Sequence, residues 1–367
     1  MFTFSEKSRL SELRTEARNA LESLETPESV KTPGNTWTEY PDLKLDQESL
    51  EESKPYIETE GDVKVALNRQ AAEREENSLF RQIECKDNRF TALNTAYMNC
   101  LIHIEARGNG KVTIQHKGQH PLFSHLIVEA EEADLEVVEL FEGNPGTAFS
   151  TAEFNIGRNS EVKYGSNQSI DSGINYSLRK ATVGKDSNMT WLNTVFGSSL
   201  TRHRLETILE GDNSSVEKIC AWFGDRDQHL DISARVKHNG KGTRCNMESK
   251  GVADENSRTI YEGLQDVSRE AKDTESFQDE DSLILSNNAE INAAPRLEIE
   301  NNQVEASHSA SSGQLSEQKL YYMKSRGLTQ QKAKKLVVQG FFQPLIEKIP
   351  IPKLSQAIRQ QIDKKLS

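Results

Sequence analysis

Three histidines fall close together in the segment HKGQHPLFSH, as His116, His120 and His125. Spacings of four and five suggest a metal site. In strands, however, that spacing does not put all three on one face. They are expected at corners and on the surface. The four cysteines, Cys85, Cys100, Cys220 and Cys245, form no C-x-x-C pair and fit no zinc template. Buried thiols behave as small apolar residues, and Cys245, just after a turn cluster, is the one expected to be accessible. No G-x-x-x-x-G-K-[ST] pattern occurs, so any ATP hydrolysis must come from a partner.

The elements that would position such residues follow a rhythm. Turn clusters GRNSEV, GKDSNM and GDNSSV begin at Gly157, Gly184 and Gly211, with 27 residues between successive starts (184 − 157 and 211 − 184). Weaker relatives begin at Gly108, Glu131, Gly240 and Ala271. A fixed period of this length signals a repeat architecture. Between turns come alternating runs such as TAEFNIG and RHRLETILEG, which read as strands. Gly and Asn supply the positive φ of tight corners. Each unit has room for two or three short strands, one coil of a parallel β-solenoid stretching from about Leu93 to His308. An antiparallel sandwich explains the turn density but not the repeated interval. The open ends of a solenoid must be capped or paired with another chain. The N-terminal arm suits one end, and residues 283–308 suit a dimer surface at the other.

Helical patterns flank the strands. Leu10, Leu13, Ala17, Leu21 and Leu24 share one face of a helix expected over 5–25, with Ser5 as its cap and Pro27 after its stop. Trp37 and Tyr40, in TWTEYPDL, are the apolar anchors of the arm that follows. Beyond His308, Ser316 caps a helix ended by Gly327, and Thr329 caps another expected to end at Gly340. A last amphipathic segment follows the IPIP break. The expected regions are 1–92 (helical and irregular), 93–314 (solenoid) and 315–367 (helical). Apolar residues make up 35% of the 367, low for a thick core but tolerable in a narrow, repetitive one. The formal charge of −12 disfavours nucleic acid. Sparse cysteines suggest a reducing compartment. With no apolar leader in MFTFSEKSRL and no membrane-length stretch, the chain is expected in the cytoplasm.

The stretch APRLEIENNQVEASHSASSGQLSEQKLYYMKSRGLTQQKAKKLVVQGFF, Ala294 to Phe342, resembles the SufB/SufD proteins of iron–sulfur cluster assembly. Their pattern is approximately P-x-L-E-I, S-H-x-A-T-x-G, L-x-Y-L-x-S-R-G-I and A-x-x-L-x-x-G-F. Pro295, Leu297, Glu298, Ile299, Ser307, His308, Ala310, Gly313, Leu320, Tyr322, Ser325, Arg326, Gly327, Ala333, Leu336, Gly340 and Phe341 match it. TWTEYPDL is similar to an upstream arm of SufD-type members. The resemblance implies a right-handed parallel β-helix flanked by helical regions, and a non-enzymatic scaffold of the SUF system. It also implies a SufC-type ATPase bound to the C-terminal helices. Residues placed at that contact are Leu320, Tyr321, Tyr322, Ser325, Arg326, Gly327, Gly340 and Phe341. The second partner is a SufB-type subunit, or a second copy, joined through the β-helix end.

His308 matches the histidine that this family uses in cluster handling, and neutral imidazole is a competent iron ligand. Where SufB-type members carry a cysteine before the P-x-x-E-x strand, this chain has Ala289. Where SufD-type members often carry one before S-H, it has Ala306. Alanine offers no ligand, so the chain resembles SufD more than SufB and a thiol-bearing partner is implied. The iron–sulfur cluster is then a transient cargo of the complex. No local motif points to flavin. The rival readings are a β-helix carbohydrate-active enzyme, which shares the fold, and a structural solenoid.

Overall fold

A computed structural model of the chain describes residues 9–26, 38–41, 43, 50–74 and 80–367. The expected cap Ser5, the anchor Trp37 and the stop Pro27 lie outside the described residues. The described chain begins with α1 (Arg9–Ala20), β1 (Tyr56–Leu67), α2 (Arg69–Arg74) and α3 (Arg89–Tyr97). Two long strands, β2 (Cys100–Gly118) and β3 (Leu122–Gly143), follow. Each serves both faces of the structure: the first half of β3 pairs with β4 (Thr147–Ile156) and its second half with β5 (Glu161–Ile170).

From there the chain alternates between two parallel stacks. One holds β4, β6 (Ile174–Val183), β8 (Leu200–Leu209), β10 (His229–His238), β12 (Arg258–Val267) and β14 (Glu290–Ile299). The other holds β5, β7 (Asn188–Val195), β9 (Ser215–Gly224), β11 (Arg244–Ala253), β13 (Thr274–Ile284) and β15 (Val304–Gln314). The result is a parallel β-solenoid of about eight turns. Side chains alternate between the interior and the outside, as strand geometry demands. Leu135, Val162, Met189, Val216 and Cys245 form one inward column through successive register pairs.

The corners explain the sequence rhythm. Asn159, Asp186 and Asn213 hold positive φ values of 51°, 54° and 58°. Their amides donate to the carbonyls of Lys185, Asp212 and Lys241 on the next coil, at 3.1, 3.0 and 2.8 Å. Asn and Asp tolerate this left-handed geometry better than other side chains. The glycines that open these clusters do a different job from the one expected. Gly211 needs no left-handed backbone, but it has no room for a side chain: a Cβ there would stand 2.0 Å from the Lys185 nitrogen. Close stacking of coils, not positive φ, requires glycine. Gly211→Ala is therefore expected to destabilise the fold by about 1–3 kcal/mol, read from the midpoint of denaturant unfolding; an unchanged midpoint would refute the close-stacking argument.

β1 pairs antiparallel with β2 and covers the first edge of the solenoid. The N-terminal helices lie on the outer face of the β4 stack, where Phe90 packs among Phe123, Phe149 and Tyr176. The arm is pinned beside them. Tyr40 meets Phe90 edge-on at 5.0 Å, and Thr38 donates to Asp231, itself buried against Arg202.

The chain ends in α4 (Glu317–Ser325), α5 (Gln330–Glu347) and α6 (Pro352–Lys365). Ser316 and Thr329 cap α4 and α5, accepting from the amides of Lys319 and Lys332. Gly327, with φ of 90°, follows α4 as expected. The expected stop at Gly340 is not observed. α5 continues to Glu347 because Phe342, Leu345 and Ile346 are buried against the sheet. That burial outweighs the low helix propensity of one glycine. With α6, these residues cover Leu192, Ile219, Phe223 and Val252 on the outer face of the β5 stack. Among the described residues no helix is long and apolar enough to cross a membrane.

Candidate functional site

The far end of the solenoid is built differently from the first. β14 pairs only with β12 and β15 only with β13, so the last coil presents two strand edges with no neighbour among the described residues. Every residue of β15 from Ser307 to Gln314 is exposed. Such an edge is a template for pairing with another chain.

His308 lies on β15, directly over Gln278 of β13. Gln278 is buried, and so are Ser276 and Glu280 two residues to either side. His308 therefore continues an inward column, Tyr164, Trp191, Lys218, Met247 and Gln278, at the coil where the column reaches solvent. Ala306 stands over Ser276 in the adjoining inward column. Ala289 lies in the turn before β14, its amide near the Ser286 hydroxyl at 3.2 Å. Neither alanine supplies a ligand, and among the described residues no group of three His, Cys, Asp or Glu side chains is placed to hold a metal ion.

The other chemistry-bearing residues are absorbed into the fold. All four cysteines are free and buried, including Cys245, which is 2% exposed rather than accessible. Burial pushes the Cys220 and Cys245 thiols up to about 12 and about 11, so both stay protonated near neutrality. Of the three clustered histidines, only His120 is exposed. His116 faces the interior, with Nε2 2.9 Å from Glu139. His125 faces outward beneath Phe80, stacked at 4.3 Å, with Nδ1 2.7 Å from the Thr151 hydroxyl. Burial and then Arg179 push its imidazole down to about 3. The expectation of corner and surface positions fails for both because strands β2 and β3 run longer than the turn signals suggested.

Inside the first coils, Glu139, Arg179, Tyr164 and His116 form a charged network that sequence reasoning missed. Arg179 reaches Glu139 at 3.2 Å and donates to the Tyr164 hydroxyl at 2.9 Å. Burial alone would raise the Glu139 carboxyl, but Arg179, His116 and Tyr164 together hold it below the ordinary range. The network crosses the lumen and ties the two stacks together, a structural role. The available signal was that Glu139, in LEVVELFEG, shares the inward period of Leu135 and Val137.

A few residues beyond β15, α4 stands away from the core with no buried residue. Tyr321 and Tyr322 are 76% and 59% exposed. Leu320 is half-buried, Ser325 donates to the Tyr322 carbonyl, and the Arg326 guanidinium lies 5.4 Å from the Tyr322 ring centroid. Gly327 closes this group. Gly340 and Phe341 lie apart from it on α5. Gly340 is exposed, whereas Phe341 packs on Phe342 and under Lys250 Nζ at 4.8 Å.

Residues 112–341 match the family model described as "SUF system FeS cluster assembly, SufBD core domain". Curated relatives include iron-sulfur cluster assembly SufBD family proteins of Staphylococcus saprophyticus, Staphylococcus epidermidis and Staphylococcus aureus. Each is 25% identical over 304 residues, covering 77% of this chain and 64% of the relative. The chain thus spans a little under two thirds of the length of these relatives.

Proposed function

Because the chain belongs to the SufBD family of the SUF iron–sulfur cluster assembly system, we propose that it is a non-enzymatic scaffold subunit on which clusters are built. The open last coil is the observation that supports this reading most. It presents His308 on one of two unpaired strand edges while Ala289 and Ala306 leave the same end without a thiol. One imidazole cannot hold a cluster, so a SufB-type chain docks edge to edge and brings the sulfur ligands. A second copy of this chain would fit the edges but would bring no thiol. The cluster is cargo, held transiently across the two chains. A SufC-type ATPase docks on α4 and supplies the nucleotide chemistry for which this chain has no loop.

Anaerobic co-expression with a SufC-type ATPase and a SufB-type subunit, followed by iron and sulfide analysis of the purified complex, tests this. The complex is expected to carry both elements, and His308→Ala to lower them by about ten-fold or more while all three chains still co-purify. Normal iron and sulfide in the variant would sink the His308 assignment. A chain that co-purified with neither partner would sink the scaffold reading.

A further inference from the structure

The first coil is covered by β1, yet β1 leaves a free edge of its own. It pairs only with β2 among the described residues, so its other side has no neighbour. Twelve residues, Tyr56 to Leu67, is long for an edge that stays unpaired. The lumen-facing row of this strand is also incompletely covered. Ile57, Val63, Val65 and Leu67 pack against the apolar cluster of the first coils but are only half-buried.

β1 turns a corner. Its first arm, Tyr56 to Gly61, runs along the half of β2 that leads through β3 to β5. Its second arm, Val63 to Leu67, runs along the half that leads to β4. Gly61, with φ of 80°, makes the bend. A two-fold axis through Asp62 would map this bent edge onto itself, laying each arm antiparallel on the other arm of a second copy. Ile57 would then face Leu67, Thr59 face Val65 and Glu60 face Lys64, each pair occurring twice.

Charge favours the same register. On the outer surface the register pairs run Lys163, Glu136, Lys111 and Glu60, alternating in sign up to the free edge. The next strand out continues that alternation if it sets a cation opposite Glu60. On the other arm Lys64 lies 3.5 Å from Glu105, and an anion beyond it continues the pattern there. A second copy meets both demands at once, because Glu60 of each chain faces Lys64 of the other. Glu58 is already held by Lys353 at 2.7 Å and would face only Ala66. Asp62 would meet its own copy on the axis, the one like-charge pair in this register.

We propose that β1 is a homodimer edge, at which two copies of the chain join their first coils by antiparallel pairing through an isologous two-fold contact. The pairing covers both apolar rows over a continuous lumen and leaves the open last coils at the two far ends. On the scaffold reading, such an assembly carries two cluster-building ends, back to back. The contact uses neither His308 nor α4, so its failure would leave the scaffold reading standing.

Charge reversal in the full-length chain tests it. Glu60→Lys sets lysine against Lys64 twice, and Lys64→Glu sets glutamate against Glu60 twice. Each variant is expected to self-associate about ten-fold or more weakly than the wild type in sedimentation equilibrium. Thermal unfolding checks that both are folded, as the exposure of both side chains predicts. Mixed one to one, the two variants restore both opposite-charge pairs and are expected to bind each other about as tightly as wild-type chains do. A wild-type chain that remains monomeric throughout the concentration series overturns the proposal. If the variants self-associate as tightly as the wild type, the copies meet elsewhere, at the last coil for instance, and the β1 contact is wrong. If the mixture gains nothing over either variant alone, Glu60 and Lys64 do not face each other and the two-fold pairing is overturned.

Discussion

Replacing Arg179 by leucine is expected to lower the stability of the folded chain by about 3–5 kcal/mol. Arg179 is fully buried, and its guanidinium contacts Glu139, Tyr164 and the Ser150 carbonyl, drawn from both stacks and from two earlier coils. Leucine fills part of the volume but leaves the Glu139 carboxylate inside the lumen without its countercharge. The loss of one partner of a buried pair costs far more than the pair itself contributes. The double variant Glu139→Gln/Arg179→Leu should therefore recover most of the loss, since the amide that replaces the carboxylate is uncharged and still bonds to its neighbours. The pH dependence carries the same signature. In the wild type the Glu139 carboxyl is held below its ordinary value. Its contribution is present above the unfolded value, near 4.5, and is lost as pH falls through the depressed folded one. In Arg179→Leu, burial is unopposed by the guanidinium and the sign reverses, so that stability rises as pH drops from 7 toward 5. Urea unfolding across that range measures both effects. A loss below about 1 kcal/mol, the scale of an exposed ion pair, would show that the network is not what holds the stacks together.

The fold was largely legible because a solenoid writes its period into the sequence. The register steps Asp134 to Glu161, Glu161 to Asn188 and Asn188 to Ser215 are each 27 residues, matching the turn interval. Later steps lengthen, with Arg244 pairing to Glu275 and Glu275 to Glu305, because extra residues enter the corners and not the strands. Caps at Ser316 and Thr329 were also readable, since they depend on neighbours three residues away. What could not be read depended on contacts between coils. Gly211 and Gly340 look alike in sequence. One is fixed by the preceding coil's backbone, and the other is carried through a helix by burial of its neighbours. The same holds for the candidate site. His308 stood out by its motif, but its place over Gln278 follows from a 30-residue offset (308 − 278) that only the register reveals. His116 and His125 are close in sequence yet sit on opposite faces of the solenoid wall, which a spacing of strands broken by one corner does not disclose.

The double variant Tyr321→Ala/Tyr322→Ala is expected to weaken binding of a SufC-type ATPase by about 100-fold, the loss of roughly 2–4 kcal/mol typical of paired aromatic hot spots. The argument begins with exposure. α4 buries none of its residues, yet it keeps two tyrosines in a row, 76% and 59% exposed. Leu336, on α5, is 49% exposed. Single exposed apolar residues need no explanation, but adjacent aromatics on a helix with nothing packed on them mark a contact surface. Tyrosine suits such a surface because it brings a large rigid ring with few torsions to freeze and a hydroxyl to pair. The Arg326 guanidinium over Tyr322 holds one ring in place before any partner arrives. Neither ring contributes to the core, so the thermal unfolding midpoint of the variant should match that of the wild type. Phe342→Ala provides the contrast. Phe342 is fully buried between α5 and the solenoid, and its truncation is expected to cost about 3–5 kcal/mol of stability. Binding measured by calorimetry on folded protein separates the two cases. Undiminished affinity in the double tyrosine variant would move the ATPase contact off α4, and a lowered unfolding midpoint would make the tyrosines part of the fold instead.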